Sequence, residues 1–119
     1  MKTPATTPPA AARPKFTLSL KFKVKAGLKL ALLGELRTIL DLCALEPEFV
    51  TAILHENPEK PDEVFVYEIW QGTPAEFQRI QGPKPYRIAY LERSRPLVAH
   101  VEVAFLTPTV EWGTDLLTS

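Results

Sequence analysis

The chain has 119 residues, with 14 Lys and Arg balancing 14 Asp and Glu, 12 prolines and one cysteine. That length suits one small domain, or a domain that completes the burial of its apolar surface by pairing, and zero formal net charge makes no electrostatic case for nucleic acid or an acidic membrane as main partner. A lone cysteine, Cys43, excludes an intrachain disulfide framework, no apolar run approaches ~20 residues, and the N-terminus has no apolar secretory core, so a cytoplasmic location is expected.

Residues 1–15, MKTPATTPPAAARPK, hold four prolines, three basic residues and no acid, which leaves the remaining body with three acids in excess. Such a stretch has no amphipathic period and cannot offset its own ordering entropy, so a flexible, partly polyproline-II arm is expected. From residue 16, Phe16, Leu18, Leu20, Phe22 and Val24 alternate with Thr17, Ser19, Lys21 and Lys23. A period of two specifies a strand with one oily and one polar face. Ala26-Gly27 ends it. Between Leu28 and Leu45, Leu32, Leu36, Ile39 and Cys43 recur at helical spacing, Leu33 and Leu40 widen the stripe, and Glu46-Pro47 stops the helix.

Phe49 to Glu56 reads as a second strand and Val64 to Trp70 as a third, with loop chemistry from Asn57 to Asp62 between them. The short link predicts an antiparallel hairpin. Thr73-Pro74-Ala75-Glu76 is a helix start, with Thr73 as N-cap, Pro74 in the first position and Glu76 as the reciprocal cap. This second helical region is interrupted at Gly82-Pro83-Lys84-Pro85, resumes around Tyr86 to Ser94 and closes at Pro96. Leu97 to Leu106 alternates as a fourth strand, and the tail has one more apolar stretch, Val110 to Trp112.

The order β-α-β-β-α-β predicts an α+β, ferredoxin-like domain over residues 16–106, followed by an extension over 107–119. Strands one and three take the middle of a four-stranded antiparallel sheet, and both helices cover one face. The oily face of strand one is expected to meet the helices. Lys21 and Lys23 are expected on the other face, paired with Glu68 and Glu102 and joined by Val64, Val66 and Trp70. Valines and a tryptophan on an uncovered sheet face predict a homodimer through that face.

Several of these segments resemble the antibiotic-biosynthesis monooxygenase family. They are strand one ending in Lys25-Ala26-Gly27, the Leu-rich helix ending in Glu46-Pro47, the strand ending in Leu54-His55-Glu56-Asn57-Pro58, and the run Val66-Tyr67-Glu68-Ile69-Trp70, with Phe77 beyond. The likeness runs from about Phe16 to Phe105. It implies a dimeric α/β barrel of two ferredoxin-like protomers, and oxygenase chemistry on quinols or polyketide-like phenols without flavin, metal or haem. Three positions depart from the family's pattern. Glu48 stands where a glycine is usual, Pro83-Lys84-Pro85-Tyr86 lacks the histidine of a Pro-His-aromatic element, and Leu20 replaces the strand-one asparagine of the haem-degrading branch. Haem degradation is therefore disfavoured.

Cofactor-free oxygenation needs an apolar pocket that holds an electron-rich anion beside oxygen, and a group that takes the substrate proton. His55 and Trp70 are the catalytic candidates, with Tyr67, Phe77, Tyr86, Arg87 and Tyr90 as substrate-binding candidates; His100 and Arg79 are further groups of suitable chemistry. The sequence has no Gly-rich phosphate loop, metal-spaced cluster or nucleophile turn, and no metal is expected. Two functions follow: an oxygenase acting on an aromatic small molecule between sheet and helices, or a non-catalytic dimeric barrel that binds an apolar small molecule.

Overall fold

The structure is a computed structural model that describes residues 13–117, so most of the expected N-terminal arm lies outside the described residues. The elements are β1 (Lys15–Val24), α1 (Lys29–Cys43), β2 (Phe49–Glu56), β3 (Glu63–Gln71), α2 (Pro74–Gln81), α3 (Pro85–Ser94), a 3-10 turn (Arg95–Leu97) and β4 (Val98–Leu106). One antiparallel sheet has the order β2-β3-β1-β4, the ferredoxin-like arrangement expected from the element order. No helix among the described residues is long and apolar enough to cross a membrane.

Local chemistry accounts for the helix boundaries. Gly27 takes a φ of 79°, a left-handed turn that an L side chain resists, and turns the chain from β1 into α1. Helix α1 has no side-chain cap at Leu28, so it depends on burying Leu32, Leu36, Ile39 and Cys43. Helix α2 begins in a reciprocal cap: Glu76 N donates to Thr73 Oγ1 at 3.2 Å and Thr73 N donates to Glu76 Oε1 at 3.0 Å. Pro85 then sits in the first turn of α3, where its missing N–H costs nothing.

The register of β1 against β3 corrects one expectation. Phe16 faces Trp70, Leu18 faces Glu68, Leu20 faces Val66 and Phe22 faces Val64. Directly opposed residues share a sheet face, so Val64, Val66, Glu68 and Trp70 lie on the helix side with the oily row of β1. They do not lie on the helix-free face. The four residues do share a face, as their alternation requires; a one-residue change of register decides which face it is. Lys21 pairs with Glu63 at 3.4 Å and Glu102 at 3.7 Å, and Lys23 with Asp62 at 3.9 Å, so the expected pairing with Glu102 is present and that with Glu68 is not.

On β4, Val101, Val103 and Phe105 oppose Phe22, Leu20 and Leu18 and so belong to the helix side. The core is centred on Phe16, Leu32, Leu36, Val64, Val66 and Trp70. The C-terminal segment returns toward the start of β1. Leu117 is buried there, its carbonyl accepts from Lys15 Nζ at 3.4 Å, and Glu111 accepts from the backbone N–H groups of Leu116 and Leu117. At this end of the helix-free face Thr17 and Ile69 are buried, whereas Leu106, opposite Thr17, and Ile53 and Tyr67 further along stay exposed.

Candidate functional site

Side chains of the sheet and the helices line a cavity of about 360 Å³ between them. Leu18, Val66 and Glu68 form its floor on β1 and β3, and Leu36, Ile39 and Cys43 of α1 form one wall. Phe77 of α2 and Arg87 and Tyr90 of α3 form another wall, and the inward row of β4 forms the last. The cavity exists because β4 is an edge strand whose inner row the helices do not fully cover; Val103 is 53% exposed although it faces inward. Buried residues mark the floor, and the exposed Leu91, Arg95, Val101 and Val103 mark the mouth. At this size the space lies at the lower end of small-molecule pockets, roughly 300–1,000 Å³.

Its polar groups are few and converge. Glu68 is only 5% exposed, and the buried indole of Trp70 donates from Nε1 to Glu68 Oε1 at 2.8 Å. Burial pushes the Glu68 carboxyl above the usual carboxylate range, with the Trp70 hydrogen bond and the charge of Arg87 opposing. Arg87 donates from Nη2 to Cys43 Sγ at 3.1 Å and lies 5.0 Å from the centroid of Phe77, a cation–π distance. Its Nε is buried and has no hydrogen-bond partner, and no carboxylate forms an ion pair with it among the described residues. Burial also raises the Cys43 thiol, against the charge of Arg87, and pushes the Tyr90 hydroxyl up to about 12. Both therefore stay protonated near neutrality, whereas Glu68 is a carboxyl whose burial makes it a stronger proton acceptor.

The residues expected from the sequence divide between two faces. Phe77, Arg87 and Tyr90 line the cavity. Trp70 lies behind it, its ring between Phe49 at 5.2 Å and Phe77 at 5.0 Å, and it adjoins the cavity through Phe77 and Glu68. Tyr86 belongs to a neighbouring network: its hydroxyl donates to Glu46 Oε1 at 3.1 Å, and Lys84 Nζ lies 2.8 Å from both oxygens of that carboxylate. His55 and Tyr67 project to the helix-free face, where with Ser19 and Phe65 they border an open depression of about 400 Å³. His100 opposes Lys23 on that same face, and Arg79 is exposed on α2.

Glu68, Cys43 and Arg95 are among the cavity residues that the sequence reading did not select. A signal for Glu68 existed: it is the one acid in the row Val64, Val66, Glu68, Trp70, two residues from a tryptophan whose N–H needs a partner once buried. A larger groove of about 640 Å³ between α1 and β2 is open and lined by Arg37, Asp41 and Glu56 beside apolar groups. It contains no buried ionisable group.

The sequence matches no protein-family model and no curated protein. Its fold has solved counterparts. A Chloroflexus aurantiacus protein assigned as an antibiotic biosynthesis monooxygenase superposes with a TM-score of 0.70 at 21% identity, covering 86% of this chain and 98% of its own. SnoaB from Streptomyces nogalater, a cofactor-independent oxygenase, gives a TM-score of 0.70 at 19% identity, with 80% and 93% of the two chains covered. Rv0793 from Mycobacterium tuberculosis gives 0.71 at 17% identity over 79% and 94%. Each likeness spans nearly the whole of the solved chain, and the chain therefore has the ferredoxin-like fold of the antibiotic biosynthesis monooxygenase structures.

Proposed function

We propose that the protein is a cofactor-independent monooxygenase whose substrate is an electron-rich aromatic molecule, a quinol or an anthrone-like phenol, bound in the cavity between sheet and helices. The observation that carries this reading is the meeting, inside an apolar cavity, of a buried carboxyl of raised basicity and a guanidinium that forms no ion pair among the described residues. Glu68 accepts the acidic proton of the substrate, and Arg87 stabilises the resulting phenolate or enolate. Trp70 is a positioning residue: its N–H fixes the carboxyl oxygen that it touches and leaves the other free to face the substrate. The substrate anion passes an electron to molecular oxygen, and the radical pair joins as a carbon–oxygen bond to give a peroxide. Loss of water leaves a carbonyl, so one oxygen atom enters the product and the other leaves as water. The apolar walls exclude solvent that would quench the anion. His55 and Tyr67, on the other side of the sheet, take no part in this scheme.

Two protomers pair through the helix-free face, where Ile53, Tyr67 and Leu106 are exposed beside the Lys21 ion pairs. Sedimentation checks this: a dimer at micromolar concentration is expected, and a monomer refutes it. The catalytic reading is tested by oxygen uptake with anthrone and naphthohydroquinone. Consumption above autoxidation, with one oxygen molecule per ketone formed and a loss of about 10²–10⁴-fold in Glu68→Gln, supports it. Binding of both compounds without turnover assigns the cavity to a binding protein instead.

A further inference from the structure

Arg95 stands where α3 ends and the 3-10 turn begins, and its side chain lines the mouth of the cavity. Its backbone is held on both sides: its N–H donates to the Leu91 carbonyl, and its own carbonyl accepts from Val98 N–H. The turn is in turn tied to the end of β1 by the bond from Lys25 N to Leu97 O at 2.9 Å. The neighbouring Arg93, which points elsewhere, is paired with Glu35 at 2.8 Å, while Arg95 has no ion-pair partner among the described residues.

Among the described residues, the cavity lining thus contains two guanidiniums, Arg87 and Arg95, against one carboxyl, Glu68, which is already engaged by Trp70. An apolar space with net positive lining favours an anion over a neutral molecule of the same shape. The two arginines are eight residues apart, about 12 Å along the axis of α3. The positive charge is thus divided between Arg87, whose Nε is buried, and the exposed Arg95 at the mouth. The buried end offers Arg87 for a phenolic or enolic oxygen. The mouth offers Arg95, whose fork of N–H donors matches a carboxylate.

We propose that the ligand of this cavity is an aromatic acid, a hydroxylated fused-ring compound whose carboxylate is bound at the mouth by Arg95. The inference rests on the reading of the cavity as a small-molecule site, and it specifies the substrate class that the reading leaves open. Arg95 selects among ligands by charge and takes no part in proton transfer.

Calorimetric binding of three probes tests it: hydroxynaphthoate, its methyl ester, and naphthol. The wild type is expected to bind the acid about tenfold more tightly than the ester. Arg95→Gln should erase that preference while leaving naphthol affinity unchanged, which also shows that the variant is folded. Arg95→Lys should restore part of it, and Arg93→Gln, outside the cavity, should leave it intact. Naphthol binding with no preference for the acid, or a preference that survives Arg95→Gln, overturns the aromatic-acid assignment and leaves the small-molecule reading standing. Failure of all three probes to bind overturns that reading, and this inference with it.

Discussion

Trp70→Phe removes one N–H and part of one ring from the support of the cavity floor. The N–H is a donor to a carboxyl that is 5% exposed, and hydrogen bonds of that kind contribute about 1.5–3 kcal/mol. The smaller ring keeps contact with Phe49 and Phe77 but leaves a void that costs about 1 kcal/mol more. The expected loss is therefore about 2.5–4 kcal/mol in urea unfolding at neutral pH. A double-mutant cycle separates the two parts. In a Glu68→Met background the acceptor is gone, so Trp70→Phe should cost only the void, and the coupling between the positions should be about 1.5–3 kcal/mol. An equal loss in both backgrounds would show that Trp70 acts through packing alone, and its role in positioning Glu68 would fall.

Other consequences follow from the ionisable groups and the glycines. The Glu68 carboxyl is raised above its ordinary value of 4.5 by burial, so its folded state prefers the proton; this contribution to stability is complete below that value and is lost as pH rises through the folded pKa. Glu68→Gln should therefore gain thermal stability relative to wild type as pH increases, and a difference that does not change with pH refutes the shift. Glu46 is the opposite case. The hydrogen bonds from Lys84 lead in lowering its carboxyl, helped by Gln81 and Tyr86, so its contribution is present above 4.5 and is lost as pH falls through the folded pKa. Glu46→Gln should destabilise at neutral pH and differ little from wild type in strong acid, as followed by urea midpoints. Gly34 has nothing within 4 Å of a built Cβ, whereas a Cβ on Gly82 would collide with the Gln78 carbonyl oxygen. Gly34→Ala should raise stability by about 0.5–1 kcal/mol and Gly82→Ala should lower it by about 1–3 kcal/mol, and denaturant unfolding of the pair checks both signs.

Much of the fold was legible because each element announces its own period. The alternation from Phe16 to Val24, the stripe of Leu32, Leu36, Ile39 and Cys43, and the cap at Thr73 depend on near neighbours in sequence. The break at Gly82-Pro83 was readable for the same reason. The register of β1 against β3 is a non-local fact, and alternation alone cannot say which side of β3 meets the helices. That ambiguity placed Glu68 on the wrong face and hid the cavity's one carboxyl. Phe77, Arg87 and Tyr90 were readable as pocket chemistry since they fall on helices that must cover the sheet. The cavity itself was not, because it arises from the uncovered inner row of the edge strand β4, a feature of packing that no local pattern encodes.

A reaction inside the cavity requires that its mouth stay open to substrate. Val103 lies at its mouth, half exposed, so Val103→Trp fills the space without disturbing the buried floor. The direct measurement is oxygen consumption with anthrone by wild type and Val103→Trp at matched thermal stability. Turnover by the wild type, abolished by the tryptophan, is the predicted result; equal turnover by both proteins would contradict the assignment of the reaction to this cavity.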